Sequence, residues 1–237
     1  LFLGEDVGWG KRETPADFTR VLSQYVDIIV CRAKSHAKVE ELAKYATCPV
    51  INGLTDLSHP CQALADLYTL REVDGSLDGK RLAYVGDANN VARSLAVACA
   101  RLGVTLSIAA PAGYEFDEAF LKRLAGEHPD ATIAGTNSPA EAVTDADAVY
   151  TDVWASMGQE GERQQRQKDF AAYQVNADLM RHAKPDAIFL HCLPARRGEE
   201  VTDEVMDSAG SRIVQQAANR MHVQKAVIAW LLGVKDL

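Results

Sequence analysis

The sequence has no apolar run that could cross a membrane and no excess of basic residues. Its longest apolar stretches fall far short of the roughly 20 residues that a membrane helix needs, so we expect no membrane partner. Its 25 lysines and arginines are outnumbered by 33 aspartates and glutamates. Without a basic stripe to follow a phosphate backbone, we expect no nucleic-acid partner. A basic pocket for one small anion remains compatible with this balance.

Two further absences concern the cysteines and the N-terminus. The sequence contains five cysteines and no CxxC spacing. An odd count with several members in apolar segments favours reduced thiols over a disulfide framework. No secretory signal is visible, and we predict a cytoplasmic protein. Histidine and cysteine neighbour each other at 59/61 and 191/192, but without further ligands at the usual spacings we expect no zinc site.

Apolar strand-like segments alternate with helical ones along the chain. Strands are predicted at 27–31, 50–51, 81–85, 105–109, 131–134, 146–150 and 187–190, with helices at 15–25, 38–45, 60–73, 90–102, 117–126 and 177–183. Such alternation is typical of a parallel sheet covered on both faces. We therefore predict an α/β, doubly wound fold. The stretch from Asp74 to Gly79 is the best boundary between a small leading unit and a larger second one.

Several reactive or charged residues directly follow predicted strands. Arg32, Asp152 and the pair His191 and Cys192 hold such positions, where α/β proteins place their ligand crevice. Each also has a simpler interpretation. By its position alone, Arg32 is typical of a solvated arginine, and Cys192 is typical of a buried small thiol. Cys192 is reactive only if neighbouring positive charge lowers its pKa. The polar stretch after Asp152, through residue 167, is either a covering loop or a solvated connector.

The segment from His59 to Gln62 predicts the start of a helix. Pro60 is favoured at the first helical position, which makes His59 the N-cap. Gln62 then either reaches back to a free backbone N–H, as in a capping box, or joins His59 at an anion-binding helix end. Spacing alone favours the capping box.

The turn from Gly86 to Asn90 follows a strand but lacks the glycine spacing of a dinucleotide site, which argues against a dehydrogenase. Its Asp and Asn side chains suit either an amino-acid ligand or an Asx-turn with helix capping.

The last predicted helix, 219–232, has an apolar stripe at Val223, Ala226, Val227, Trp230 and Leu231. Arg220 projects from that face, either snorkelling to the surface or meeting an anion.

Taken together, these segments resemble the ornithine carbamoyltransferases over most of the chain. The matching stretches are GKRET (10–14), VLSQYVD (21–27), HPCQALADL (59–67), VGDANNV (85–91), TDVWASMGQE (151–160), HCLPARRGEEVTDEV (191–205) and NRMHVQKAV (219–227). The loop containing Ser156, Met157 and Gly158, four residues after Asp152, is similar to the ornithine branch of the family.

The resemblance implies a donor, an acceptor and a role for each site residue. Carbamoyl phosphate would be held by Arg32, His59, Gln62 and Arg220. Ornithine would be gripped by Asn90, Asp152, Ser156 and Met157, with Cys192 and Leu193 beside the reacting amine. No metal and no organic cofactor are implied. The family also implies a homotrimer or a multiple of it.

The resemblance divides the chain into three parts: 1–73 as the remainder of a carbamoyl-phosphate-binding domain, 74–216 as an ornithine-binding domain, and 217–237 as a helix returning to the first. Family members carry a Ser-Thr-Arg-Thr phosphate-binding segment that this sequence lacks. We therefore expect an N-terminally incomplete member whose first doubly wound domain is truncated. The alternatives are a carbamoyltransferase for another amine or amino acid, which the serine–methionine–glycine loop argues against, and a non-catalytic ligand-binding relative.

Overall fold

The structure is a computed structural model that describes residue 8, residues 10–155 and residues 160–234. In chain order its helices and strands are α1 (Pro15–Leu22), β1 (Ile29–Arg32), α2 (His36–Tyr45), β2 (Val50–Leu54), α3 (Pro60–Asp74), β3 (Arg81–Val85), α4 (Asn90–Leu102), β4 (Thr105–Ala109), α5 (Glu118–Glu127), β5 (Ile133–Thr136), α6 (Pro139–Val143), β6 (Ala148–Thr151), α7 (Arg163–Asp169), α8 (Ala177–Met180), β7 (Ile188–His191), α9 (Asp203–Met206) and α10 (Ile213–Leu231). Within these described ranges, no helix has the length and apolar character to cross a membrane.

All strand pairs between these strands are parallel. β1 pairs with β2, and a separate five-stranded sheet has the order β5-β4-β3-β6-β7. The chain reverses its direction of winding between β3 and β6, so the crevice at their carboxyl ends is a topological switch point. The prediction of an α/β fold with parallel sheets is confirmed.

The larger sheet is covered on both faces, as its apolar strands predict. Tyr84 and Tyr150 belong to one buried cluster, together with leucines of α3 and α4. Their strand neighbours Val85 and Val149 belong to a second cluster on the opposite face, with Phe170. This alternation follows from the two-residue period of a strand, and it holds β3 and β6 rigidly between two layers.

The last helix differs from its prediction. α10 begins at Ile213, six residues before Asn219, and its buried residues are Ile213, Gln216 and Asn219. Trp230, placed on the predicted apolar stripe, is 71% exposed. The helix packs along α3 through a largely polar first half, so hydrophobic periodicity located neither its start nor its buried face.

The interpretation of the polar stretch after Asp152 as a solvated connector was wrong for its second half, residues 160–167. A 3₁₀ turn (Glu160–Glu162) leads into α7, whose Arg166 is buried. Arg166 Nη1 donates to Asp87 Oδ2 at 2.6 Å and to the Trp154 carbonyl at 2.9 Å. A helix of seven residues is too short to show a clear period, and its buried residue is an arginine satisfied by these partners.

Candidate functional site

The first group of the candidate site lies at the N-terminus of α3. Pro60 occupies the first turn and His59 is the N-cap, as predicted, but its side chain makes no capping bond. The His59 backbone N–H donates instead to Ser94 Oγ at 2.7 Å. Gln62 does not reach back to this N–H, so the capping-box interpretation was wrong. The Gln62 side chain is engaged by Arg220 and Asp66.

Arg220 joins this group from α10. Its Nη1 donates to His59 Nε2 at 2.9 Å and also contacts Gln62 Oε1. Since a guanidinium can only donate, Nε2 of His59 must be the unprotonated nitrogen. The proton of the neutral ring is therefore on Nδ1, which is buried and has no hydrogen-bond partner among the described residues. Arg220 is thus not a snorkelling surface arginine.

The electrostatics around His59 keep its ring neutral. Burial, together with the positive charges of Arg220 and Arg32, lowers the pKa of His59 to about 4. Arg32 is exposed at the end of β1, and within the described chain no carboxylate pairs with its guanidinium. Two cations beside one neutral imidazole suit an anionic ligand that carries a carbonyl group.

A buried carboxylate lies behind this group. Asp66 Oδ1 accepts from Gln62 Nε2 at 2.8 Å and from Gln216 Nε2 at 2.6 Å. Gln216 Oε1 in turn accepts from the His191 backbone N–H at 2.9 Å. Burial raises the pKa of Asp66 to about 7, opposed by the hydrogen bonds from Gln216 and Gln62. The sequence analysis missed Asp66 and Gln216, although an aspartate four residues after Gln62 on a buried helix was an available signal.

The second group lies at the carboxyl ends of β6 and β7. Asp152 is 7% exposed. It accepts from Asn89 Nδ2 at 2.9 Å, from its neighbour Val153 N at 2.8 Å and from Cys192 Sγ at 3.0 Å. Two strand ends that are neighbours in the sheet therefore bring Asp152 and Cys192 together, as their positions after β6 and β7 predict.

The two asparagines of the β3–α4 turn have different partners. Asn89 is the N-cap of α4 and accepts from the N–H groups of Val91 and Ala92, which confirms the capping interpretation of this turn. Asn90, the predicted ligand-binding residue, donates from Nδ2 to the Thr55 carbonyl at 2.7 Å. The asparagine next to Asp152 is therefore Asn89.

Cys192 is a thiol rather than a thiolate. Burial and the nearby charge of Asp152 raise the pKa of Cys192 well above its ordinary value. Arg197, a positive charge close to Cys192 in the sequence, pairs instead with Asp203 and Asp207. The hypothesis of a positively activated Cys192 was wrong, because the charge that reaches the sulfur is negative.

We expect Cys192 to react slowly with thiol reagents for this reason. At pH 8 its iodoacetamide alkylation, followed by peptide mass spectrometry, is expected to be at least tenfold slower than that of Cys48, a partly exposed cysteine of the same chain. The raised pKa leaves little thiolate to attack. Faster labelling of Cys192 than of Cys48 would contradict this assignment.

The segment after β7 has an unusual backbone. Leu193 has a φ of 58°, and the Leu193–Pro194 peptide bond is cis. The left-handed conformation is disfavoured for a leucine and is often retained at functional sites. The His191 ring supports it: Nδ1 accepts from the Leu193 N–H at 2.8 Å, and Nε2 pairs with Glu200 Oε1 at 3.2 Å.

Three possible metal ligands converge here, one of them an aspartate that the histidine and cysteine spacings did not include. Ligand atoms of Asp152, His191 and Cys192 lie within 4.8 Å of one another. However, both ring nitrogens of His191 are already used by Leu193 and Glu200. A metal would have to displace one of these bonds and deprotonate Cys192, so the residues do not fit a resident metal.

The remaining predicted ligands, Ser156 and Met157, lie outside the described residues. The segment that leads to them is anchored by the bond from Arg166 to the Trp154 carbonyl. The structure places Arg32, Gln62 and Arg220 around His59, and Cys192 beside Asp152, whereas Asn90 bonds to Thr55 and belongs to neither group. The Asp66–Gln216 pair connects the two groups.

Comparison with known proteins relates both groups to one family. Residues 2–72 match the carbamoyl-P binding domain of aspartate/ornithine carbamoyltransferase, and residues 78–231 match the Asp/Orn binding domain of the same family. The ornithine carbamoyltransferase of Anoxybacillus flavithermus is 57% identical over 230 residues, which are 96% of this chain and 73% of that protein. The anabolic enzyme of Pyrococcus furiosus is 54% identical over 233 residues, 97% of this chain and 73% of the relative.

Solved structures give the same result. The ornithine carbamoyltransferase structure from Pyrococcus furiosus superposes with a TM-score of 0.92 at 53% identity, covering 99% of this chain and 76% of the other. The Thermus thermophilus structure superposes with a TM-score of 0.85 at 43% identity, covering 98% and 75%.

Proposed function

The chain belongs to the aspartate/ornithine carbamoyltransferase family, and on that basis we propose that it transfers the carbamoyl group of carbamoyl phosphate to the δ-amine of ornithine. The products are citrulline and phosphate. The observation that carries this proposal is the contact of Arg220 with both His59 and Gln62. It joins two distant segments of the chain into one anion- and carbonyl-binding group.

The donor binds at the His59 group in this proposal. Arg32 and Arg220 neutralise the phosphate and polarise the carbamoyl carbonyl, and Gln62 contributes its Oε1. His59 supports Arg220, because its pKa of about 4 keeps the ring neutral at pH 7 and leaves Nε2 free to accept from the guanidinium. The neutral ring therefore orients the Arg220 charge without competing with it.

The acceptor binds at the Asp152 group. The Asp152 carboxylate, with Asn90, Ser156 and Met157, receives the amino-acid end of ornithine. Cys192 and Leu193 lie beside the δ-amine. Because Cys192 is protonated and faces Asp152, its role in the proposal is contact with the substrate and not covalent catalysis.

The reaction needs little more than placement and charge stabilisation. The neutral δ-nitrogen attacks the carbamoyl carbon and a C–N bond forms. The carbonyl oxygen gains negative charge, which Arg220, Arg32 and His59 stabilise. The C–O bond to phosphate then breaks, phosphate leaves with the bonding electron pair, and the nitrogen passes one proton to the departing phosphate. Holding two small polar substrates together with water excluded supplies much of the acceleration.

Three further points belong to the proposal. Residues 1–73 form the carbamoyl-phosphate unit, 74–216 the ornithine unit, and 217–237 a segment that returns to the first; the contact of Asn219 on α10 with Thr69 on α3 supports this return. The assembly is a homotrimer or a multiple of it. The protein acts in the cytoplasm.

Citrulline formation from carbamoyl phosphate and ornithine tests the function. The assay is run on the full-length gene product. We expect citrulline from the complete product, and no citrulline when lysine replaces ornithine. A complete, folded product that binds both substrates without forming citrulline would contradict the proposal and favour a binding relative.

A further inference from the structure

We propose that Asp66 is a positioning residue for this transfer: one of its carboxylate oxygens sets the orientation of the Gln62 and Gln216 side-chain amides. This inference rests on the proposed function, since Gln62 is assigned to the donor there. Asp66 itself touches neither substrate.

The partners of each amide determine which end faces Asp66. Arg220 can only donate, so Gln62 must turn its Oε1 toward Arg220 and its Nε2 toward Asp66. The His191 backbone N–H can also only donate, so Gln216 must turn its Oε1 to it and its Nε2 to Asp66. Both amides therefore need an acceptor at the same point, and Asp66 Oδ1 supplies it.

Burial makes this acceptor irreplaceable by water. Gln62 is 1% exposed, and Asp66 and Gln216 are both fully buried. Without Oδ1, two buried amide N–H groups lose their partner, which is costly in an apolar interior. A half-turn of the Gln62 amide is sterically cheap but places an NH₂ group against Arg220. The Gln62 oxygen that faces the carbamoyl-phosphate site is then no longer available.

The ionisation of Asp66 leaves this role intact. Because Oδ1 receives two donors, a proton on the acid belongs on Oδ2, which has no close hydrogen-bond partner among the described residues; the Tyr150 hydroxyl is near enough to help lower the pKa of Asp66. The pKa of about 7 therefore describes two forms that both keep Oδ1 as an acceptor. The titratable or charged groups that act on Asp66 or are acted on by it are Arg220, Tyr150, Tyr84, Cys99 and Cys192. An asparagine keeps an acceptor oxygen, so it should substitute for Asp66 with little loss of activity.

The test compares Asp66→Leu with Asp66→Asn. We expect Asp66→Leu to lower kcat/KM for carbamoyl phosphate at least tenfold, and Asp66→Asn to stay within threefold of the unmodified protein. Thr69→Val is the matched control, since it removes the buried 3.0 Å hydrogen bond from Asn219 Nδ2 to Thr69 Oγ1 between the same two helices. We expect it to stay within twofold.

A second readout does not depend on activity. Backbone amide exchange of His191, followed by NMR, should accelerate at least tenfold in Asp66→Leu, because Gln216 is released, and should be unchanged in Asp66→Asn and Thr69→Val. If Asp66→Leu does not fold, Gln216→Leu replaces it. That variant should accelerate His191 exchange and leave KM for carbamoyl phosphate within threefold.

Three results would overturn the inference: a folded Asp66→Leu protein with activity within twofold, an Asp66→Asn protein as impaired as Asp66→Leu, or His191 exchange that is the same in every variant. If the unmodified complete product forms no citrulline, the proposed function fails. The rate of His191 backbone amide exchange then tests the orientation of the Gln216 amide without any activity measurement.

Discussion

Replacing Arg220 by methionine is expected to lower kcat/KM for citrulline formation by about 10²- to 10³-fold, the usual cost of removing one donor from a developing oxyanion. Methionine keeps a long side chain on α10 but removes the charge. Both hydrogen-bond acceptors of Arg220, His59 Nε2 and Gln62 Oε1, then lose their donor. Steady-state kinetics with each substrate varied in turn measures the change.

Arg101→Met is the control, because Arg101 is an exposed arginine at the end of α4. It should leave kcat/KM within twofold. The pKa of His59 supplies a second check. Burial is the larger cause of its value of about 4 and the charge of Arg220 the next, so the pKa should rise in the variant, measurable by NMR titration. A variant with unchanged kinetics and an unchanged His59 pKa would remove Arg220 from the site.

Replacing Asp152 by asparagine is expected to reduce kcat/KM for ornithine about a hundredfold, or about 3 kcal/mol, because a nearly buried charge that faces the substrate is lost. The effect should fall on ornithine, with KM for carbamoyl phosphate within threefold, since Asp152 belongs to the second group of the site. The Asp152 charge also raises the pKa of Cys192. The variant should therefore alkylate faster at Cys192.

Asp130→Asn, a change at an exposed aspartate, controls for the loss of one negative charge from the chain and should be silent in both assays. Equal losses of kcat/KM for ornithine and for carbamoyl phosphate would show that Asp152 stabilises the fold rather than binding ornithine. If the variant kept a normal KM for ornithine but alkylated faster at Cys192, Asp152 would raise the pKa of Cys192 without binding ornithine.

Secondary structure was predictable where one signal dominates. β3, β4 and α4 lie at their predicted residues because short apolar runs and a strong helical period leave little alternative. α6, α7 and α9 were not predicted, since helices of four to seven residues carry too few positions to show a period. The start of α10 was missed because its first turns bury amides rather than apolar side chains.

The site was predictable as a set of residues but not as a set of contacts. Positions after β1, β6 and β7 indicated Arg32, Asp152 and Cys192. The charge that governs Cys192 could not be predicted, because Asp152 lies 40 residues away in the chain. The same holds for Arg220, whose partners His59 and Gln62 are 161 and 158 residues away.

The single carboxylate oxygen shared by Gln62 and Gln216 also limits how this sequence can change over evolutionary time. Any one apolar substitution among Gln62, Asp66 and Gln216 strands a buried donor or acceptor of the other two. Their effects on fitness should therefore be strongly non-additive. Drift toward apolar side chains at these positions requires a concerted replacement of all three, whereas asparagine is the one single change expected at Asp66.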